Sequence, residues 1–213
     1  MPTTATSHRL VDVKICGLTT PAQAEACVNA GAWGVGVVLT PESLRYVDED
    51  QAAAVLANVP DAVARVGVFV GADPPDLARA ADRIGLTHLQ LHGDADVAGA
   101  RAATGLPIIL GVPFTGVGAI AAAAAQGPDL VLFDAAVPGR HGGTGIRLDW
   151  EALAAARPSF AFGVAGGLRP DNVTQAIRLL RPAFVDVSSG VEWAPGIKDQ
   201  DKVNAFMTAV RSA

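Results

Sequence analysis

Ala64-Arg65-Val66-Gly67-Val68-Phe69-Val70, followed by Asp73-Pro74-Pro75-Asp76, is the repeating unit of this chain in miniature. The first seven residues are almost continuously apolar, as in a strand buried on both faces of a parallel sheet. The Asp-Pro-Pro-Asp segment then offers a helix start, and Leu77, Ala80, Ala81 and Ile84 fall on one helical stripe. Similar apolar runs occur at Leu10–Ile15, Gly34–Leu39, Thr87–Leu91, Pro107–Gly111, Asp129–Phe133, Phe160–Val164 and Ala183–Val187. Amphipathic segments separate them. Thr20-Pro21-Ala22-Gln23 supplies an N-cap, a proline in the first turn and a capping-box glutamine. Arg169-Pro170 opens a helix with Val173, Ala176, Ile177 and Leu180 inward. Asp199 caps the last, with Val203, Phe206, Met207 and Val210 on its core face. The segments 48–57, 94–103, 118–125 and 149–156 complete eight.

Eight alternating strands and helices predict an α/β fold, a single-domain (β/α)8 TIM barrel. The 213 residues leave about 27 per unit, close to the lower limit of that fold, so a second domain has no room. One domain over residues 1–213 is expected, with residues 1–9 as a loose N-terminal extension. A doubly wound sheet would carry a dinucleotide fingerprint after its first strand, and Lys14-Ile15-Cys16-Gly17 is not one.

Composition excludes several classes. Charged residues are only 17%, which argues against a disordered chain. Lys and Arg number 16 against 21 Asp and Glu, so nucleic acid is not an expected partner. No apolar run reaches the length of a membrane span, and residues 1–10 lack the apolar core of a signal peptide. Cys16 and Cys27 are too few for a disulfide scaffold, and no His, Cys or acidic cluster has metal-ligand spacing. The expectation is a cytoplasmic protein with reduced thiols and neither metal nor cofactor.

In such barrels the chemistry sits on loops at the C-terminal ends of the strands. The seventh is followed by Ala165-Gly166-Gly167-Leu168 and the eighth by Ser188-Ser189-Gly190-Val191-Glu192. Glycine-rich turns let backbone N–H groups close on an anion, and loops 7 and 8 are the fold's usual phosphate site. The alternative is tight turns alone, and the adjacent Ser-Ser-Gly favours phosphate. Asp134 ends the sixth strand as a candidate acid or base, before a loop containing Gly142, Gly143 and Gly145. Cys16, ending the first strand, is either a buried filler or a reactive thiol. Arg45 offers a fork suited to carboxylate or phosphate, or a surface ion pair. His92 ends the fourth strand, where it would move protons, bind substrate or bridge the barrel mouth.

Taken in order, Lys14-Ile15-Cys16-Gly17, Arg45-Tyr46-Val47, Gln90-Leu91-His92-Gly93, Leu132-Phe133-Asp134, Gly142-Gly143-Thr144-Gly145, Ala165-Gly166-Gly167-Leu168 and Asp186-Val187-Ser188-Ser189-Gly190-Val191-Glu192 resemble the phosphoribosylanthranilate isomerase family of tryptophan biosynthesis. The resemblance implies an Amadori rearrangement of a small phosphoribosyl substrate, by a monomer or homodimer. It also implies Cys16 as base, Asp134 as acid, Arg45 on the anthranilate carboxylate, and phosphate at the Gly143, Gly167 and Ser189–Gly190 regions. Alternation along the strand gives Lys14 the same facing as Cys16, where a cation would favour the thiolate. Gly111 stands where the family commonly has a lysine. A related indole-glycerol-phosphate synthase would need a lysine acid, and the chain has only Lys14, Lys198 and Lys202. A histidine-pathway isomerase would need an aspartate at the position of Cys16. A binding protein without turnover would need neither Cys16 nor Asp134.

Overall fold

The computed structural model describes residues 11–135 and 148–213. The expected extension at 1–9, and Gly142, Gly143 and Gly145, lie outside the described residues. Eight parallel strands close in sequence order. They are β1 (Asp12–Cys16), β2 (Gly34–Val38), β3 (Ala64–Val70), β4 (His88–His92), β5 (Ile108–Pro113), β6 (Leu130–Asp134), β7 (Phe162–Val164) and β8 (Phe184–Val187). The alternating helices are α1 (Pro21–Asn29), α2 (Glu49–Leu56), α3 (Pro74–Ile84), α4 (Val97–Thr104), α5 (Val117–Ala125), α6 (Trp150–Ala156), α7 (Val173–Leu180) and α8 (Gln200–Arg211). No helix among the described residues is long and apolar enough to cross a membrane.

Alternation along each strand sorts the core into two. Val13, Ile15, Val35, Val37, Leu89, Leu91, Phe133 and Val185 point outward and meet the helices, making the larger hydrophobic cluster. Ala64, Val66, Ile109, Leu132, Ala165 and Phe184 fill the barrel's interior as a second, smaller cluster. Above that plug the inward positions turn polar. Lys14 and Cys16 on β1, Gln90 and His92 on β4, Asp134 on β6 and Asp186 on β8 share the inner face.

The helix starts follow from side-chain caps. Thr20, Asp48, Asp96, Asp149 and Asp199 each accept from a backbone N–H of the first turn. Two boundaries differ from the sequence reading. α4 begins at Val97, because Asp96 and not Asp94 is its cap. α7 begins at Val173, not Pro170. Residues 169–172 form a turn in which Arg169 N donates to Asn172 Oδ1 (2.8 Å) and Asn172 Nδ2 donates to the Gly167 carbonyl (2.9 Å). A two-stranded hairpin after β8, β9 (Glu192–Ala194) with β10 (Ile197–Lys198), adds a short rim to the mouth.

Candidate active site

Cys16 and Asp134 are the last residues of β1 and β6, on the inner face at the C-terminal end of the barrel. Asp134 Oδ1 accepts from Ala135 N at 2.7 Å. Burial pushes its carboxyl up to about 6, and the nearby charge of Asp186 adds to the rise. Burial also pushes the Cys16 thiol up, opposed by the adjacent Lys14 ammonium. Lys14 is wholly buried and donates to Asp186 Oδ1 at 2.9 Å, tying β1 to β8.

Gly166 of loop 7 packs directly against Asp134. Gly166 has φ +81°, and a Cβ there would stand 2.8 Å from both Asp134 Oδ1 and Ala135 N. Loop 8 lies on loop 7: a Cβ on Gly190 would fall 1.8 Å from the Leu168 carbonyl oxygen, so only glycine permits this approach. Gly166 and Gly167 are thereby brought together with Ser188, Ser189 and Gly190 as adjacent backbone. Ser188 Oγ accepts from Lys198 Nζ at 3.4 Å.

Arg45 is not the surface ion pair that its sequence context left open. It is buried, in a loop bridged to β2 through Tyr46 and Val38. Its Nε and Nη2 donate to the two carboxylate oxygens of Glu192 at 2.8 and 2.6 Å, leaving Nη1 without a protein partner among the described residues. Glu192 Oε1 also accepts from Lys198 Nζ (2.7 Å) and Gly196 N (3.3 Å). Burial opposes its charge, yet these donors hold its carboxyl below the ordinary value. Glu192 and Lys198 were not singled out as working residues in the sequence. The only signal for them is the Glu at the end of the Ser-Ser-Gly-Val-Glu segment and the scarcity of lysine.

His92 is buried beside Gln90, whose amide nitrogen lies 2.8 Å from Nε2. Its ring covers Gly111. A Cβ at residue 111 would meet His92 Cε1 at 2.2 Å, so this ring and a lysine at 111 exclude one another in this conformation. Cys27 is a core residue of α1, with its thiol pushed up by burial to about 11.

A cysteine and an aspartate end two strands at the same mouth of the barrel, and glycine-lined loops 7 and 8 lie against each other there. The profile of N-(5'-phosphoribosyl)anthranilate (PRA) isomerase matches residues 13–209. The chain belongs to the phosphoribosylanthranilate isomerase family. The N-(5'-phosphoribosyl)anthranilate isomerase of Paracoccus denitrificans is 43% identical over 205 residues, covering 92% of this chain and 95% of that protein. The crystal structure of phosphoribosyl anthranilate isomerase from Thermotoga maritima superimposes with a TM-score of 0.87 at 33% identity, over 96% of this chain and all of that one. A phosphoribosyl anthranilate isomerase crystallised with reduced 1-(o-carboxyphenylamino)-1-deoxyribulose 5-phosphate has a TM-score of 0.83 at 32% identity, with 96% and 100% covered. As a member of the phosphoribosylanthranilate isomerase family the chain is an enzyme, and the family's reaction is isomerisation of a phosphoribosyl substrate in tryptophan biosynthesis. Its single-domain (β/α)8 barrel agrees with the sequence reading.

Proposed function

We propose that this chain isomerises N-(5'-phosphoribosyl)anthranilate to 1-(2-carboxyphenylamino)-1-deoxyribulose 5-phosphate with Asp134 as general acid and Cys16 as general base. The observation that carries the assignment is the pair itself. Both groups face inward at the same end of the barrel, and Asp134 retains its proton up to about pH 6. Asp134 protonates the ring oxygen, the ribose opens, and the nitrogen lone pair forms the iminium. Cys16 takes the proton from C2, which yields the enaminol. Transfer of the enol proton and protonation at C1 give the ketone, so substrate and product have the same atoms.

Arg45 receives the anthranilate carboxylate on Nη1, its Nε–Nη2 edge being spent on Glu192. Gly166, Gly167, Ser188, Ser189 and Gly190 hold the phosphate, joined by Gly142 and Gly143 on the ground of the family resemblance. His92, inward-facing at the end of β4, contacts the substrate. No cofactor enters these steps. The chain works in the cytoplasm as a monomer or homodimer, without nucleic acid or membrane. A related Thermotoga maritima isomerase is described as dimeric, with monomers generated from it.

The test is loss of substrate fluorescence with freshly made phosphoribosylanthranilate. Wild-type protein turns it over; absence of turnover with product-analogue binding intact overturns the reading. Asp134→Asn loses roughly 10²–10⁴-fold in kcat with little change in KM, the usual worth of general acid–base work. Cys16→Ser loses at least as much, since a hydroxyl is a far weaker base. Either variant at the wild-type rate removes that residue from its role.

A further inference from the structure

We propose that Lys14 is a positioning residue: anchored on Asp186, its ammonium stands beside the Cys16 sulfur and stabilises the thiolate that proton abstraction requires. The proposal rests on Cys16 being the base, and it adds what makes a buried thiol fit for that task.

The geometry begins with Gly36. It sits opposite Cys16 in the β1–β2 register, and it has no side chain. A Cβ there would stand 3.2 Å from Cys16 Sγ and 3.3 Å from Lys14 Nζ, so thiol and ammonium both border the space over this glycine. The other side of the ammonium is the Asp186 carboxylate at 2.9 Å. Lys14 is fully enclosed, and a buried ammonium is costly unless it is paired. One carboxylate meets that need but leaves ammonium protons to spare, and Cys16 is the acceptor beside them.

Charge bookkeeping around the sulfur favours the same conclusion. Cys16 is faced by Lys14 on its own strand, Asp186 on β8, Lys198 on β10 and Arg45 on the β2–α2 loop. Among these charges Lys14 lowers the thiol's pKa most, and Asp186 opposes it more weakly. Burial works against the Lys14 ammonium itself, but Asp186 and Cys16 more than offset this, so it stays cationic. Lys14 is therefore a fixed positive charge and not a proton donor in the cycle. Asp134 feels the same pair, Asp186 raising its pKa and Lys14 lowering it.

A purely structural ion pair and a thiolate-stabilising one differ in a sign. In a Cys27→Ala background, the pH dependence of iodoacetamide alkylation at Cys16 reports the thiolate without reference to turnover. Lys14→Met moves the midpoint up by at least about one pH unit, roughly tenfold less thiolate at neutral pH. Asp186→Asn moves it down, because the opposing negative charge is gone while the ammonium stays. Lys14→Met/Asp186→Asn, which leaves no unpaired buried charge and is the fold-safe variant, falls between Lys14→Met and Asp186→Asn. Equal midpoints in all variants overturn the proposal, as does a downward shift in Lys14→Met. If the midpoints shift as stated and Lys14→Met also loses kcat, the role of Lys14 stands in full. If they shift but kcat holds, the influence of Lys14 on the thiol stands and the assignment of Cys16 as base falls.

Discussion

In the proposed mechanism Asp134 and Cys16 work in the less populated of two protonation arrangements. Asp134 titrates at about 6, and the Cys16 thiol is pushed above its ordinary value. Between these values the resting pair is carboxylate and thiol, whereas the reaction needs carboxylic acid and thiolate. Both arrangements hold the same number of protons, so their ratio is independent of pH. The expected kcat/KM profile is a bell. Its acidic limb rises near pH 6 as the doubly protonated pair loses a proton, and its alkaline limb falls as the last proton leaves. A profile measured on wild type and on Asp134→Asn checks this, since the variant should lose the alkaline fall and show a single rise, displaced from pH 6 to the alkaline side where the Cys16 thiol ionises. The residue at 111 obeys a different logic, one of volume. The lysine expected from the family is absent here, and the space it would enter is filled by the His92 ring.

At the scale of elements, strands were the most legible part of the sequence. Each parallel strand is buried on both faces, so its apolar run is nearly unbroken and needs no partner to be recognised. Helix caps such as Thr20 and Asp199 were legible for a related reason, because a cap acts within one turn. What escaped was long-range or very short. Arg45 and Glu192 are 147 positions apart, and Lys14 and Asp186 are 172 apart. Strands β9 and β10, of three and two residues, are too short to show a period. Yet this hairpin holds Arg45 by way of Glu192. Glu192 is in turn held by Lys198, while Thr19 and Gln23 donate to the Gly196 carbonyl at 2.7 and 2.9 Å. Glu192→Gln removes one carboxylate charge between two cations and loosens this assembly. The expected result is a KM raised about tenfold or more with a smaller change in kcat, read from steady-state kinetics, because the role proposed for Arg45 is to bind the substrate and not to react.

For the whole molecule, the same burial that suits Asp134 to its proposed role as acid weakens the fold at neutral pH. Its folded value of about 6 lies above the ordinary 3.8, so the folded state binds its proton more tightly than the unfolded chain. The stabilisation is therefore complete below about pH 4 and is lost as pH rises through 6. Asp134→Asn carries no such charge. It should be more stable than wild type by about 1–2 kcal/mol at pH 7, a figure discounted because the carboxylate is partly exposed. The difference should shrink toward zero by pH 4 in matched denaturant titrations. A variant no more stable at pH 7 would show that the carboxylate is better solvated than its surroundings suggest.

The pairing of β1 with β8 has a further consequence for the life of the chain. Cys16 is made early, but its companion Asp186 is 170 residues away and Glu192 follows later still. A nascent chain halted after the sixth strand would hold both proposed proton-transfer residues and still lack the strand that anchors Lys14. The working site is thus assembled by the last seam of the barrel, so enzymatic competence marks the completion of synthesis and closure, and incomplete chains are silent by construction.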